Sequence, residues 1–139
     1  MCIRDSYYMP QNDLQVTAYH SRAVEAGSMR GYGTLQSMAA TEMMVDEIAG
    51  RLGVDAIELR RKNALRSGMK NTQGAIPAGA LRLHEILDKA AVHEVWKNRE
   101  AIKKQREAAD PDNWYGVGFA ICQKAVSYTH LTLPTIYSV

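Results

Sequence analysis

The stretch of this chain best equipped for chemistry is AGSMRGYG, residues 26–33, where Gly27, Gly31 and Gly33 leave main-chain amides open around Met29, Arg30 and Tyr32. Glycine lacks the side chain that keeps a ligand off the backbone. A loop of this kind that runs straight into a helix aims its amides and the positive helix end at one place, which suits phosphate or another oxyanion. On these grounds alone a plain structural turn competes with a ligand site. The loop is not a P-loop, having no Gly-Lys-Ser/Thr, and not a dinucleotide fingerprint, because the third glycine is missing.

The remaining reactive side chains are scattered. Cys2 and Cys122 stand at opposite ends and His84 and His93 lack ligand spacing, so neither a zinc site nor a disulfide framework is predicted. Lys103, Lys104 and Arg106 are interleaved with Glu100 and Glu107, the pattern of a solvated helix face. With a net charge of +2, 46% apolar and 23% charged residues, the chain is ordinary globular material, and no nucleic-acid partner is expected. No apolar run approaches the ~20 residues that cross a bilayer. No membrane span is expected, and the expected setting is cytoplasmic, with a periplasmic one left open. His20 receives no role.

The elements that must position the loop follow from periodicity. Leu14, Val16 and Ala18 alternate with Gln15, Thr17 and Tyr19, which predicts a half-buried strand ahead of the loop. A helix is predicted over residues 34–52, with the Thr34 hydroxyl as cap and Gly53 as left-handed terminator. Its apolar stripe is Leu35, Met38, Ala39, Val45, Ile48, Ala49 and Leu52, with Met43 and Met44 as core filling or helix surface. Glu42 lies on that stripe and needs a partner, because burying a lone carboxylate costs several kcal/mol. Arg30 is one candidate. A second helix, over 56–65, is signalled by Asp55 as N-cap, Glu58 three residues on, and Val54 packing on Leu59. Arg60, Arg61 and Lys62 then complement its dipole.

Residues 66–79 form a long loop, residues 81–108 are helical with a break near His93, and YGVGFAI at 115–121 reads as a closing strand. The predicted class is α+β: strand, Gly-rich loop, two to four helices, strand.

The run SMRGYGTLQSMAATEMMVDEIAGRLGVDAIELRRKNAL resembles the molybdopterin-binding subunit of the xanthine dehydrogenase and aldehyde oxidase family. That family shows, in order, an Arg-Gly-aromatic-Gly loop, a mid-helix Glu, an Asp-Glu-x-Ala stretch, Leu-Gly-x-Asp and Arg-x-x-Asn. Here these stand at 30–33, Glu42, 46–49, 52–55 and 60–63. Residues 8–10 resemble the family's Tyr-x-x-Pro, and 115–120 its Gly-x-Gly strand. Ala56 replaces a frequent proline at the first helical position, which leaves the capping logic intact.

The resemblance implies a fragment of a molybdenum hydroxylase that places a water-derived oxygen on a C–H carbon of an N-heterocycle or aldehyde. Electrons would pass to iron-sulfur clusters and FAD on partner subunits or domains. It implies that Met29, Arg30, Gly31 and Gly33 contact the molybdopterin and that Tyr32 places its ring beside a small-molecule substrate, its hydroxyl available to a polar edge. The family's catalytic Glu, in a Gly-x-Gly-Glu motif, has no match, so no catalytic residue is assigned and the fragment alone is expected to be inactive. Residues 1–6 (MCIRDS) and 127–139 (SYTHLTLPTIYSV) look like translated adapter sequence, leaving 7–126 as the partial molybdopterin-binding domain. Two readings from other classes remain: a small helical interaction module without catalysis, and a weak anion or nucleotide binder built on the Gly-rich loop.

Overall fold

The computed structural model of the chain describes residues 6–13, 15–20, 22 and 33–123. Five helices follow one another: α1 (Thr34–Leu52), α2 (Ala56–Asn63), α3 (Leu83–Val92), α4 (Glu94–Lys97) and α5 (Arg99–Ala109). α2 packs against both α1 and α3, so it is the central element.

The first helix runs over the predicted residues but starts differently. Gly33, at φ 81°, is the N-cap, and among the described residues no side chain caps the helix. Thr34 is already helical and buried, because the left-handed turn at Gly33 carries the chain into the helix one residue earlier than a threonine cap would. At the other end Gly53 has φ 63°. Its amide and that of Val54 return to the carbonyls of Gly50 and Ala49, the paired bonds of a Schellman terminator. The buried stripe is narrower and more polar than expected: Thr34, Met38, Thr41, Glu42 and Ala49. Leu35 and Leu52 are instead about two-thirds exposed, at 65% and 63%. They flank the stripe, and only α2 and short extended segments cover this helix.

Asp55 caps α2 as predicted, accepting from the amides of Ile57 at 2.9 Å and Glu58 at 3.2 Å. Glu58 turns to Arg61. The helix ends at Asn63, two residues before the expected stop. Ala64 is extended there and pairs antiparallel with Tyr7, the Tyr8 amide bonding to the Asn63 carbonyl and the Leu65 amide to that of Ser6.

The third helix breaks at His93, where a break was predicted. That residue is extended, closes α3 and opens α4, its Nδ1 accepting from the Val95 amide. The loop between α2 and α3 is held by Asn71, whose side-chain oxygen accepts from the amides of Gln73 and Ala75, and by Ser67, which accepts from Leu81.

Neither predicted strand forms among the described residues, so the α+β class is corrected there to helices joined by extended segments. Around 14–19, the described residues are exposed, with Val16 at 64% and Tyr19 at 87%, and Leu14 lies outside the described residues. Residues 115–121 keep the alternation that suggested a strand, Ile121 pointing in and Gly116, Gly118 and Ala120 out. A strand needs a neighbour for its amides, and here the Ile121 amide goes to the Glu42 carboxylate instead. The core is Tyr7, Ile57, Ala64, Leu65, Leu83, Leu87 and Ile121, with Trp96 and Phe119 packed edge to face at its margin.

Candidate functional site

Of the five residues assigned to a cofactor and substrate pocket, Gly33 is described; Met29, Arg30, Gly31 and Tyr32 lie outside the described residues. The suggested Arg30 partner for Glu42 lies outside them too. Gly33 stands at the head of α1 with a left-handed backbone. A Cβ built there would meet nothing within 4 Å, so its left-handed φ, not crowding, is what calls for glycine. Among the described residues no side chain caps the amides of the first turn of α1.

What holds α1 in place is a buried polar junction two helical turns further on. Glu42 is 6% exposed and Arg60 is fully buried. Arg60 Nε donates to Glu42 Oε2 at 2.8 Å, one terminal nitrogen donates to Asp46 at 2.7 Å and to the Ala56 carbonyl, and the other reaches the Glu42 main-chain carbonyl at 3.2 Å. The remaining acceptor positions of Glu42 take the Tyr7 hydroxyl, on Oε1, and the Ile121 amide, on Oε2 at 2.9 Å. Four parts of the chain that are far apart in sequence meet at one carboxylate.

The electrostatics follow from this geometry. Burial, and then the hydrogen bond to Glu42, push the Tyr7 hydroxyl well above the usual phenol range. Burial works against the charge on Arg60, but the hydrogen bonds it donates to Asp46 and Glu42 outweigh it and hold the guanidinium above its ordinary value. Arg60 therefore stays charged, and Tyr7 stays neutral as a donor.

Sequence reasoning demanded a partner for Glu42 and missed which one. Arg60 sits in an Arg-Arg-Lys run at a helix end, where dipole complementation is the simpler explanation of a basic residue. The spacing held a usable signal. Residue 60 lies three beyond Ile57 and four before Ala64, both buried, so the inward face of α2 passes through it. Tyr7, three residues before Pro10, is likewise the tyrosine that matters in its segment, whereas Tyr8 is 43% exposed.

A second junction steadies α2 from the other side. Asp55 Oδ2 accepts from Trp96 Nε1 at 3.2 Å and from Arg99 at 2.9 Å, while the Arg99 guanidinium stacks 4.2 Å from the Trp96 ring centroid. Asp55 thus caps α2 and ties it to α4 and α5. Among the described residues no helix is long and apolar enough to cross a membrane.

Comparison with known proteins gives matches of one kind. A family profile described as molybdopterin cofactor-binding domain matches residues 1–64. The chain is 36% identical over 98 residues to the aldehyde oxidoreductase of Megalodesulfovibrio gigas, covering 70% of this chain and 10% of that protein. It is 36% identical over 109 residues to the putative xanthine dehydrogenase molybdenum-binding subunit of Escherichia coli K12, covering 78% of this chain and 14% of that subunit. Among solved structures, the aldehyde oxidoreductase from Desulfovibrio gigas matches at 34% identity with a TM-score of 0.45, over 58% of this chain and 8% of that one. The chain therefore spans about a tenth to a seventh of the length of these curated relatives.

Proposed function

Because this chain belongs to the molybdopterin-binding family of the xanthine dehydrogenases and aldehyde oxidoreductases, we propose that it is part of the large subunit of a molybdenum hydroxylase. The reaction is R–H + H2O giving R–OH, two protons and two electrons, at a C–H carbon of an N-heterocycle or an aldehyde. The electrons pass to iron-sulfur and flavin partners. The observation that carries the reading is the 36% identity to a molybdenum-binding subunit across 78% of the chain. The ordered motifs around the Gly-rich loop agree with it. A helical interaction module without catalysis is not favoured by these matches.

The residues present suit the group. Gly33 enters α1 with the left-handed φ that glycine favours, and among the described residues no side chain caps the first-turn amides of α1, which fits an anionic, phosphate-bearing cofactor. When bound, the molybdopterin supplies the metal centre and the redox chemistry. The chain's own part is orientation. By the family resemblance, Met29 and Arg30 would offer main-chain contacts to the cofactor, Gly31 would let the backbone come close, and Tyr32 would place its ring beside the substrate, its hydroxyl available to a polar substrate edge. No residue of this chain is assigned as the base, so residues 7–126, the partial molybdopterin-binding domain, are inactive on their own.

The test is to purify the complete subunit with its partners and measure bound molybdenum and pterin, then incubate with an N-heterocycle or an aldehyde in 18O-labelled water. Stoichiometric molybdenum and label in the product are expected. A complete subunit that takes up neither molybdenum nor pterin sinks the proposal.

A further inference from the structure

We infer that Arg60 is a positioning residue for the cofactor-binding Gly33: its grip on Glu42, Asp46 and the Glu42 carbonyl fixes where α1 begins, and so where Gly33 at its head is held. The inference rests on the function proposed above.

The contacts are those a positioning device needs. Glu42 and Asp46 stand one turn apart on α1, and a single guanidinium on α2 bonds to both carboxylates and to one carbonyl of the α1 backbone. Two side-chain bonds along one helix face set the rotation of α1 about its axis. The bond to the Glu42 carbonyl sets its axial register. Arg60 also bonds to the carbonyl of Ala56 in its own helix, so the fork is braced from behind. α2 is itself held at its start by Asp55, Trp96 and Arg99.

Apolar packing could not do this here. The buried face of α1 carries Thr34, Thr41 and Glu42, with only Met38 and Ala49 as fully buried apolar residues. Such a face gives little shape to resist sliding, whereas charge-assisted bonds are directional. A buried ion pair also contributes little net stability over apolar residues of the same volume. What this pair adds is one permitted placement of α1. Glu42 lies eight residues from Thr34, which is about 12 Å along the helix axis, so a small tilt of α1 about the Arg60 contacts becomes a displacement at its head, where Gly33 stands.

The experiment uses the complete subunit with its partners and two variants, Arg60→Lys and the double variant Glu42→Gln with Arg60→Met. Lysine keeps the charge but is a point donor that cannot reach the same acceptors. The double variant leaves no buried charge unpaired; the glutamine oxygen can still accept from the Ile121 amide while its NH2 group donates to the Tyr7 hydroxyl oxygen, so it folds where Arg60→Met alone could fail. Three quantities are read: molybdenum and pterin per folded subunit, the rate of cofactor release after dilution, and kcat separately from KM. Release 10–100-fold faster and a matching loss of kcat, with KM and melting temperature close to wild type in the double variant, are expected. Wild-type content, release rate and kcat in both variants would overturn the inference and leave Arg60 as an ordinary structural arginine. A wild-type subunit with no cofactor overturns the function beneath it, an outcome told apart from the former by the wild-type measurement alone.

Discussion

At the scale of single residues, a polar side chain in this fold is stable only in company. Arg60 is fully buried, and its bonds to Glu42, Asp46 and two carbonyls are what make that tolerable. Arg60→Met alone is expected to cost about 3–5 kcal/mol, because it leaves the Glu42 carboxylate buried without its cation. Adding Glu42→Gln should recover a large part of that loss. Urea unfolding of the wild type, both single variants and the double variant measures the coupling directly. Tyr7 gives a pH signature with a definite sign. Its folded-state pKa is raised, so its contribution is fully present below the unfolded phenol value of about 10 and is lost as pH climbs above it. There the unfolded chain releases a proton that the native hydroxyl keeps. The melting-temperature advantage of the wild type over Tyr7→Phe should hold steady below pH 9 and shrink above pH 10.

At the scale of elements, the ends of helices matter more than their propensities. Asp55 joins the start of α2 to α4 and α5, so Asp55→Ala should cost about 1–2 kcal/mol through the lost cap. Asp55→Asn should cost less, since its carbonyl oxygen can still accept from Ile57 and Glu58. Hydrogen exchange should show the alanine variant loosening α2 and the Trp96–Arg99 segment together. Gly53→Ala should cost about 1 kcal/mol from its left-handed backbone alone, with no clash, which a melting curve checks. Such ends were also the readable part of the sequence. The Gly53 terminator, the Asp55 cap and the break at His93 are local, each set by a few neighbouring residues. What escaped is non-local. The period-two pattern at 115–121 returns as alternating burial, yet alternation cannot say whether another strand lies alongside, and residues 15–19 are exposed throughout. Arg60 was hidden for the same reason, since its partners are 14 and 18 positions away. The chemistry-bearing loop was legible as a motif, through its glycines and the helix that follows it, and Gly33 is the one member whose conformation the structure describes.

For the molecule as a whole, the apolar surface is generous for a chain of 139 residues. Met43, Met44, Ile48 and Leu52 of α1 are all at least 40% exposed, and a shallow groove runs from Met44 and Ile48 to Tyr8 and Leu59. Trp114 is 94% exposed. Contiguous apolar surface of this kind attracts other apolar surface. The chain produced alone should therefore bind a hydrophobic dye such as anilinonaphthalene sulfonate and self-associate as its concentration rises; a dark, monomeric solution would show that these side chains are separately solvated. Its matches to relatives seven to ten times longer make the same point from another direction.

Ser6 carries a last consequence. Its carbonyl accepts from the Leu65 amide and its hydroxyl from the Gln123 amide, 117 positions away. The path of the polypeptide thus comes back, at Gln123, to the spot it left at Ser6. A stretch with that geometry can be lifted out of one host protein and set into another without stretching either backbone.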